Sequence, residues 1–196
     1  MATQHTDTTT PKYIVDWVGD IVAIEGHIEE ALDHQLDLKP GNAEVASLIQ
    51  HLHDTVRDSK KRAVAYQESL GETAGEGLVQ KGAEVLGKAA GLIDKMRKDT
   101  PTKALRDDYV AFNLAAISYT LLHTTSMALA DKRTEEFAAQ GLATYATLIG
   151  KVNNTLPRAA LDDLITNKDV TVVHPDIAEQ CRTTIDQIWK DSMKSA

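Results

Sequence analysis

Cysteine occurs once in these 196 residues, at position 181, so no internal disulfide and no cysteine-based metal knuckle can form. No run of about eighteen apolar residues is present, which excludes a membrane-spanning helix. Aromatic residues make up only 5% of the chain. Basic side chains are outnumbered, 21 Lys and Arg against 29 Asp and Glu, for a formal charge of −8. Phosphate neutralisation needs clustered cations, so a nucleic-acid surface is not expected. Nucleophile and nucleotide motifs are also missing: there is no Gly-x-Ser-x-Gly, no Gly-x-x-x-x-Gly-Lys-Ser/Thr and no dinucleotide fingerprint after a strand. Residues 1–10 are polar and Thr-rich without a basic n-region and apolar h-region, and read as a flexible leader of a soluble, cytoplasmic protein.

What is present is helical periodicity. A hydrophobic content of 42% and a charged content of 26% are globular values, and the length suits one domain, assigned to residues 11–196. Prolines at 11, 40, 101, 157 and 175 fall between the periodic segments. The spacing predicts a first helix from about Tyr13 to Leu36, with Ile14, Val18, Ile21, Ile28 and Leu32 on one stripe and Glu25 filling its gap. A second helix runs from about Ala43 to Leu70 through Val45, Leu48, Ile49, Leu52, Val56, Ala63 and Tyr66, with Gly71 as its left-handed C-terminal residue. The short turn at residues 39–42 makes these two antiparallel neighbours, a hairpin spanning about 13–70.

Residues 72–99 mix five glycines with helical apolar spacing and read as a weak helical crossover. From 103 to 131 two apolar lines appear, Leu105, Tyr109, Phe112, Ala116, Tyr119 and His123 on one, Val110, Leu114, Ile117 and Leu121 on the other. Such a helix is expected to be central and buried on both faces. The next, with Phe137, Gly141, Tyr145, Leu148 and Val152 inward, is expected to stop before Pro157, closing a second hairpin over 103–156. Val170 to Val173 reads as extended. A last helix over 175–193 presents Ile177, Cys181, Ile185, Ile188 and Trp189 to the bundle as an accessory.

Two hairpins joined by a long crossover, with polar groups on their inner stripes, resemble the ferritin-like architecture. The run His51-Leu52-His53-Asp54-Thr55, continuing to Tyr66-Gln67-Glu68-Ser69-Leu70-Gly71, resembles the second helix of the YciE/YciF-type ferritin-like stress proteins. Ala115-Ala116-Ile117-Ser118-Tyr119 occupies the place of that family's Glu-His-Tyr-Glu. The resemblance covers roughly residues 13–156. It implies an all-α, ferritin-like antiparallel four-helix bundle with a crossover segment and a C-terminal accessory helix, from a bacterial stress-associated protein.

The departures concern metal. A di-iron centre in this architecture takes a Glu from each of two helices and a Glu-x-x-His from each of the other two. No Glu-x-x-His exists in the chain, and Ala143, Thr144, Tyr145 and Thr147 stand where carboxylates belong. The candidate metal positions are Glu25, Asp54, His53 and His123, with Asp58 as a further short stand-in. His51 and His53 cannot both point inward, because residues two apart project some 200° apart on a helix. Glu25 on a core stripe must find a partner, Tyr119 or His123, or else act as a ligand. Glu29, Glu30, Asp33 and His34 read as a charged surface end, Cys181 as an inert core thiol, and the tyrosines as too evenly spread to form a redox cluster. The expectation is a non-enzymatic bundle with a vestigial site and no cofactor, acting as a homodimer or larger homo-oligomer or with another protein. The alternative is an oxidoreductase or metal store holding iron or manganese around Glu25 and His123.

Overall fold

A computed structural model of the chain describes residues 11–38, 40–71 and 100–194. They form five α-helices: α1 (Lys12–Gln35), α2 (Ala43–Ser69), α3 (Pro101–Ala128), α4 (Lys132–Thr166) and α5 (Ala178–Lys194). No strand occurs among the described residues, and Val170 to Val173 is irregular. The flexible leader and the crossover expected at 72–99 lie outside the described residues.

Helix starts follow local side-chain chemistry. Asn42 Oδ1 accepts from the Glu44 and Val45 amides at 2.8 and 3.4 Å, Thr100 Oγ1 from Lys103, and Asp131 Oδ1 from Thr134, each satisfying amides the helix itself leaves free. Pro101 occupies the first turn of α3, where its missing N–H removes no bond. Gly71 ends α2 at φ +85°, the left-handed conformation its sequence position anticipated.

The four long helices enclose one core. The α1 stripe of Ile14, Val18, Ile21, Ile28 and Leu32 is buried as expected, as are Val45, Leu48, Ile49, Leu52, Val56 and Ala63 of α2. Contacting residues fix the helix directions. Asp33 meets His53 while Glu25 meets Ser59, so α1 and α2 are antiparallel. Gln35 meets Asp108 and Glu25 meets Tyr119, so α1 and α3 are antiparallel too. Hence α2 and α3 run in the same direction, and the end of α2 and the start of α3 lie at opposite ends of the molecule.

Three sequence expectations need correction. First, α4 does not stop before Pro157 but continues through it to Thr166. The proline forfeits one bond to the Asn153 carbonyl, yet Ala159 and Leu161 are buried beyond it and Arg158 pairs with Asp162 at 3.2 Å. Packing of the following turns outweighs one missing bond. Second, only one of the two apolar lines on α3 is buried; Val110, Leu114, Ile117 and Leu121 face solvent. Third, α5 begins at Ala178 and packs on α4, but Ile177, Ile188 and Trp189 are exposed and Cys181 is only half-buried, so it is no core thiol.

Candidate functional site

Glu25 sits midway along α1 with no exposed surface. Ser59 Oγ of α2 and the Tyr119 hydroxyl of α3 both donate to its Oε1, at 2.7 and 2.9 Å. The Tyr145 hydroxyl of α4 lies close enough to favour the charged carboxylate, although neither it nor Glu25 Oε2 completes a well-formed hydrogen bond. Each of the four long helices therefore supplies one polar group to a single point in the core.

Burial raises the Glu25 pKa above the usual carboxylate range, because the charged form is poorly solvated there; the three hydroxyls and the distant positive charge of Arg62 oppose that shift. The same burial, with the neighbouring carboxylate, pushes the Tyr119 and Tyr145 phenols upward and keeps them protonated donors. Aromatic packing holds them in place: Tyr119 stacks on Tyr145 at 5.9 Å between centroids, and Tyr119 and Phe137 are 5.7 Å apart. Phe137 in turn stacks on Tyr66 at 4.1 Å. The tyrosines that look evenly spread along the chain thus converge in space, three of the five in one cluster.

Gly141 makes this arrangement possible. A Cβ added there would fall 2.1 Å from the Tyr119 ring, far inside contact distance. Only a hydrogen at position 141 lets the ring lie against α4 and aim its hydroxyl at Glu25.

The other candidate positions lie elsewhere. His53 is buried, its Nε2 2.8 Å from Asp33 Oδ1 and its Nδ1 3.3 Å from Asp54 Oδ1, while His51 is exposed, as the 200° rule requires. His53 is six residues from Ser59, about 9 Å along the α2 axis at the helical rise, and so the two clusters are distinct. Asp54 is drawn below its ordinary pKa chiefly by a hydrogen bond from Gln50, with His53 and Arg57 adding to it. Its partners are those of a solvated face, and Asp58 pairs with Arg57 and Lys61. His123 is half-buried one turn past Tyr119 and makes no hydrogen bond to Glu25. Of the surface-reading cluster, Glu30 and His34 are exposed, but Glu29 reaches Lys60 of α2 at 2.7 Å and Asp33 reaches His53. No group of three or more metal-binding side chains occurs among the described residues. The donors around Glu25 are hydroxyls, where a dinuclear iron or manganese centre takes carboxylates and imidazoles. The residues present do not fit such a centre.

A second buried polar site was missed at the sequence level. Gln35 Nε2 donates to Asp108 Oδ1 at 2.7 Å, joining the end of α1 to the start of α3. Asp108 Oδ2 and Gln35 Oε1, both buried, have no partner. Burial, reinforced by the adjacent charge of Asp107 and opposed by the Gln35 bond, raises the Asp108 pKa to about 7. A proton on Oδ2 supplies the one missing donor: a carboxylic acid and a primary amide can pair through two hydrogen bonds, leaving no buried acceptor unsatisfied. The available signal was spacing, since Leu105, Asp108, Phe112, Ala115 and Tyr119 form one inner line and Gln35 continues Ile28 and Leu32.

Compared with known proteins, the chain matches no family model, no curated protein and no solved structure. No described helix is long and apolar enough to cross a membrane.

Proposed function

We propose that this chain is a ferritin-like four-helix bundle in which a hydroxyl-lined carboxyl replaces the metal centre, and that it works by assembly or binding and not by oxidation chemistry. The observation that carries this reading is the set of partners around Glu25: one serine and two tyrosines, contributed by the other three long helices. Such groups tie a carboxyl to its surroundings but offer a pair of cations too few anionic oxygens and no imidazole. The parallel course of α2 and α3, which requires a connection between opposite ends of the molecule, supports the ferritin-like topology. The resemblance of the His51–Gly71 run supports a stress-associated role in a bacterial cytoplasm.

Metal analysis tests the reading. Protein purified without chelator, then incubated with ferrous or manganous ion and desalted, is expected to retain far less than one equivalent. Stoichiometric iron or manganese that is lost in Glu25→Ala would overturn it, and would favour the alternative of a metal store or oxidoreductase built on Glu25 and His123.

A further inference from the structure

We propose that the outer face of the α3–α4 hairpin is the surface through which two copies of this chain pair. The inference rests on the assembly reading above and gives it a face and a partner.

Charge distribution is the first observation. Residues 109–130 and 137–150 contain no Asp, Glu, Lys or Arg, in a chain where such residues make up 26%. The solvent-facing positions there are instead uncharged, Val110, Leu114, Ile117, Leu121 and Met127 with Thr120 and Thr124 among them, and Val110 and Ile117 are exposed to 55% and 58%. On α4 the exposed positions of the matching stretch include Ala139, Ala143, Ala146 and Gly150. A helix face turned permanently to water ordinarily carries charged residues. The outer side of α2 does so, with Asp58 and Lys61 exposed.

Spacing is the second. Val110, Leu114, Ile117 and Leu121 are separated by four, three and four residues, the seam of a coiled coil, in which branched and Leu side chains alternate as knobs and holes. Two such seams related by a two-fold axis are complementary to each other, since each copy offers the same patch. The small residues of α4 leave room beside the seam for a facing helix.

Charge and size point to a second copy as the occupant. A chain of net charge −8 repels its own kind except where it presents no charge. A basic peptide would find no acid between residues 109 and 130 to pair with, and an anionic bilayer would meet basic groups only at the ends of the face, where Arg106 and Lys132 already pair with Asp107 and Glu135 at 2.7 Å. From Val110 to Ala128 the face extends about 27 Å, and two adjacent helices are roughly 20 Å wide, so each copy offers on the order of 500 Å². Both copies together then reach the roughly 1,000 Å² of the smaller biological interfaces.

The test is the mass of the full-length chain in solution, by light scattering and sedimentation across a concentration series, for the wild type, Ile117→Glu, Leu121→Lys and Tyr13→Glu. The wild type is expected to be a dimer. Ile117→Glu and Leu121→Lys should weaken dimerisation by roughly a hundredfold or more, because each would bury an unpaired charge at the seam. Both positions are exposed in the single chain, so the variants should keep wild-type helicity by circular dichroism. Tyr13→Glu, an equally exposed apolar position on α1, should remain dimeric. A wild type that stays monomeric throughout would overturn the inference and assign the face to residues 72–99 or to a different protein. A dimer indifferent to both seam variants would overturn it by placing the interface elsewhere. Neither result bears on metal content, which tests the preceding reading separately.

Discussion

Asp108→Asn should make the protein more stable at mildly alkaline pH. In the folded chain the Asp108 carboxyl has its pKa raised from 3.8 to about 7, chiefly by burial. A raised acid binds its proton more tightly in the native state than in the unfolded one. Its stabilising contribution is therefore complete below pH 3.8, declines as pH rises, and is gone above about 7. The slope is about 1.4 kcal/mol per pH unit over a window of about three units, so some 4 kcal/mol is at stake at the upper bound. That is a large share of the ~5–15 kcal/mol by which domains are stable. Asparagine carries no charge to bury. Its carbonyl can still accept from Gln35 Nε2, and at every pH its amide can donate to Gln35 Oε1, which loses its donor in the wild type once Asp108 ionises. Urea unfolding followed by helical circular dichroism, at a series of pH values from 4 to 9, measures the difference. The two proteins should be similar near pH 4 and diverge towards pH 8, the variant being the more stable. Glu25 also has a raised pKa but is common to both, so it cancels in the comparison. Parallel pH profiles, or a variant less stable at pH 8, would refute a neutral acid–amide pair at this site.

Gly141→Ala should destabilise by about 1–3 kcal/mol or more, because the new methyl collides with the Tyr119 ring; a lowered denaturation midpoint with unchanged slope would show it. Glu25→Gln, which keeps an acceptor for Ser59 and Tyr119, should be tolerated, whereas Glu25→Ala should lose about 2–5 kcal/mol through a cavity and two unpaired hydroxyls, read in the same urea titration. His53→Ala should cost about 1–3 kcal/mol and His51→Ala less than about 0.5, so that thermal melts separate the buried histidine from the exposed one. Pro157→Ala should raise the melting temperature, since it restores a helical hydrogen bond to Asn153, with a gain of up to about 3 kcal/mol.

The helical architecture was legible wherever one apolar stripe stood against a charged background, as in α1 and α2, and Glu25 was legible as the one carboxylate interrupting such a stripe. Gly71 was readable for the same local reason, a terminal position that needs positive φ. The errors arose where the deciding term was tertiary. Pro157 is a local stop signal overridden by the burial of Ala159 and Leu161. The exposed line of α3 has the same residue types as a buried one, and periodicity reports that a face is apolar without reporting what covers it. Asp108 stands on the inner line of α3, but an acidic side chain ordinarily signals an exposed position, and only the Gln35 amide supplied by α1 makes its burial tolerable. The tyrosine cluster could not be read from sequence spacing, since Tyr66, Tyr119 and Tyr145 meet only through helix packing.

The side-chain hydrogen bonds between the two hairpins, Glu25–Tyr119, Gln35–Asp108, Tyr66–Thr134 and Arg62–Thr144, join residues between 68 and 94 positions apart in the chain. Each hairpin can zip up early from nearby contacts, whereas docking one on the other must first close those long loops. Aliphatic stripes alone would let docked helices slide by a heptad with little change in buried area. The polar contacts match at one register only, so they act as a vernier that admits the correct alignment and penalises a slipped one.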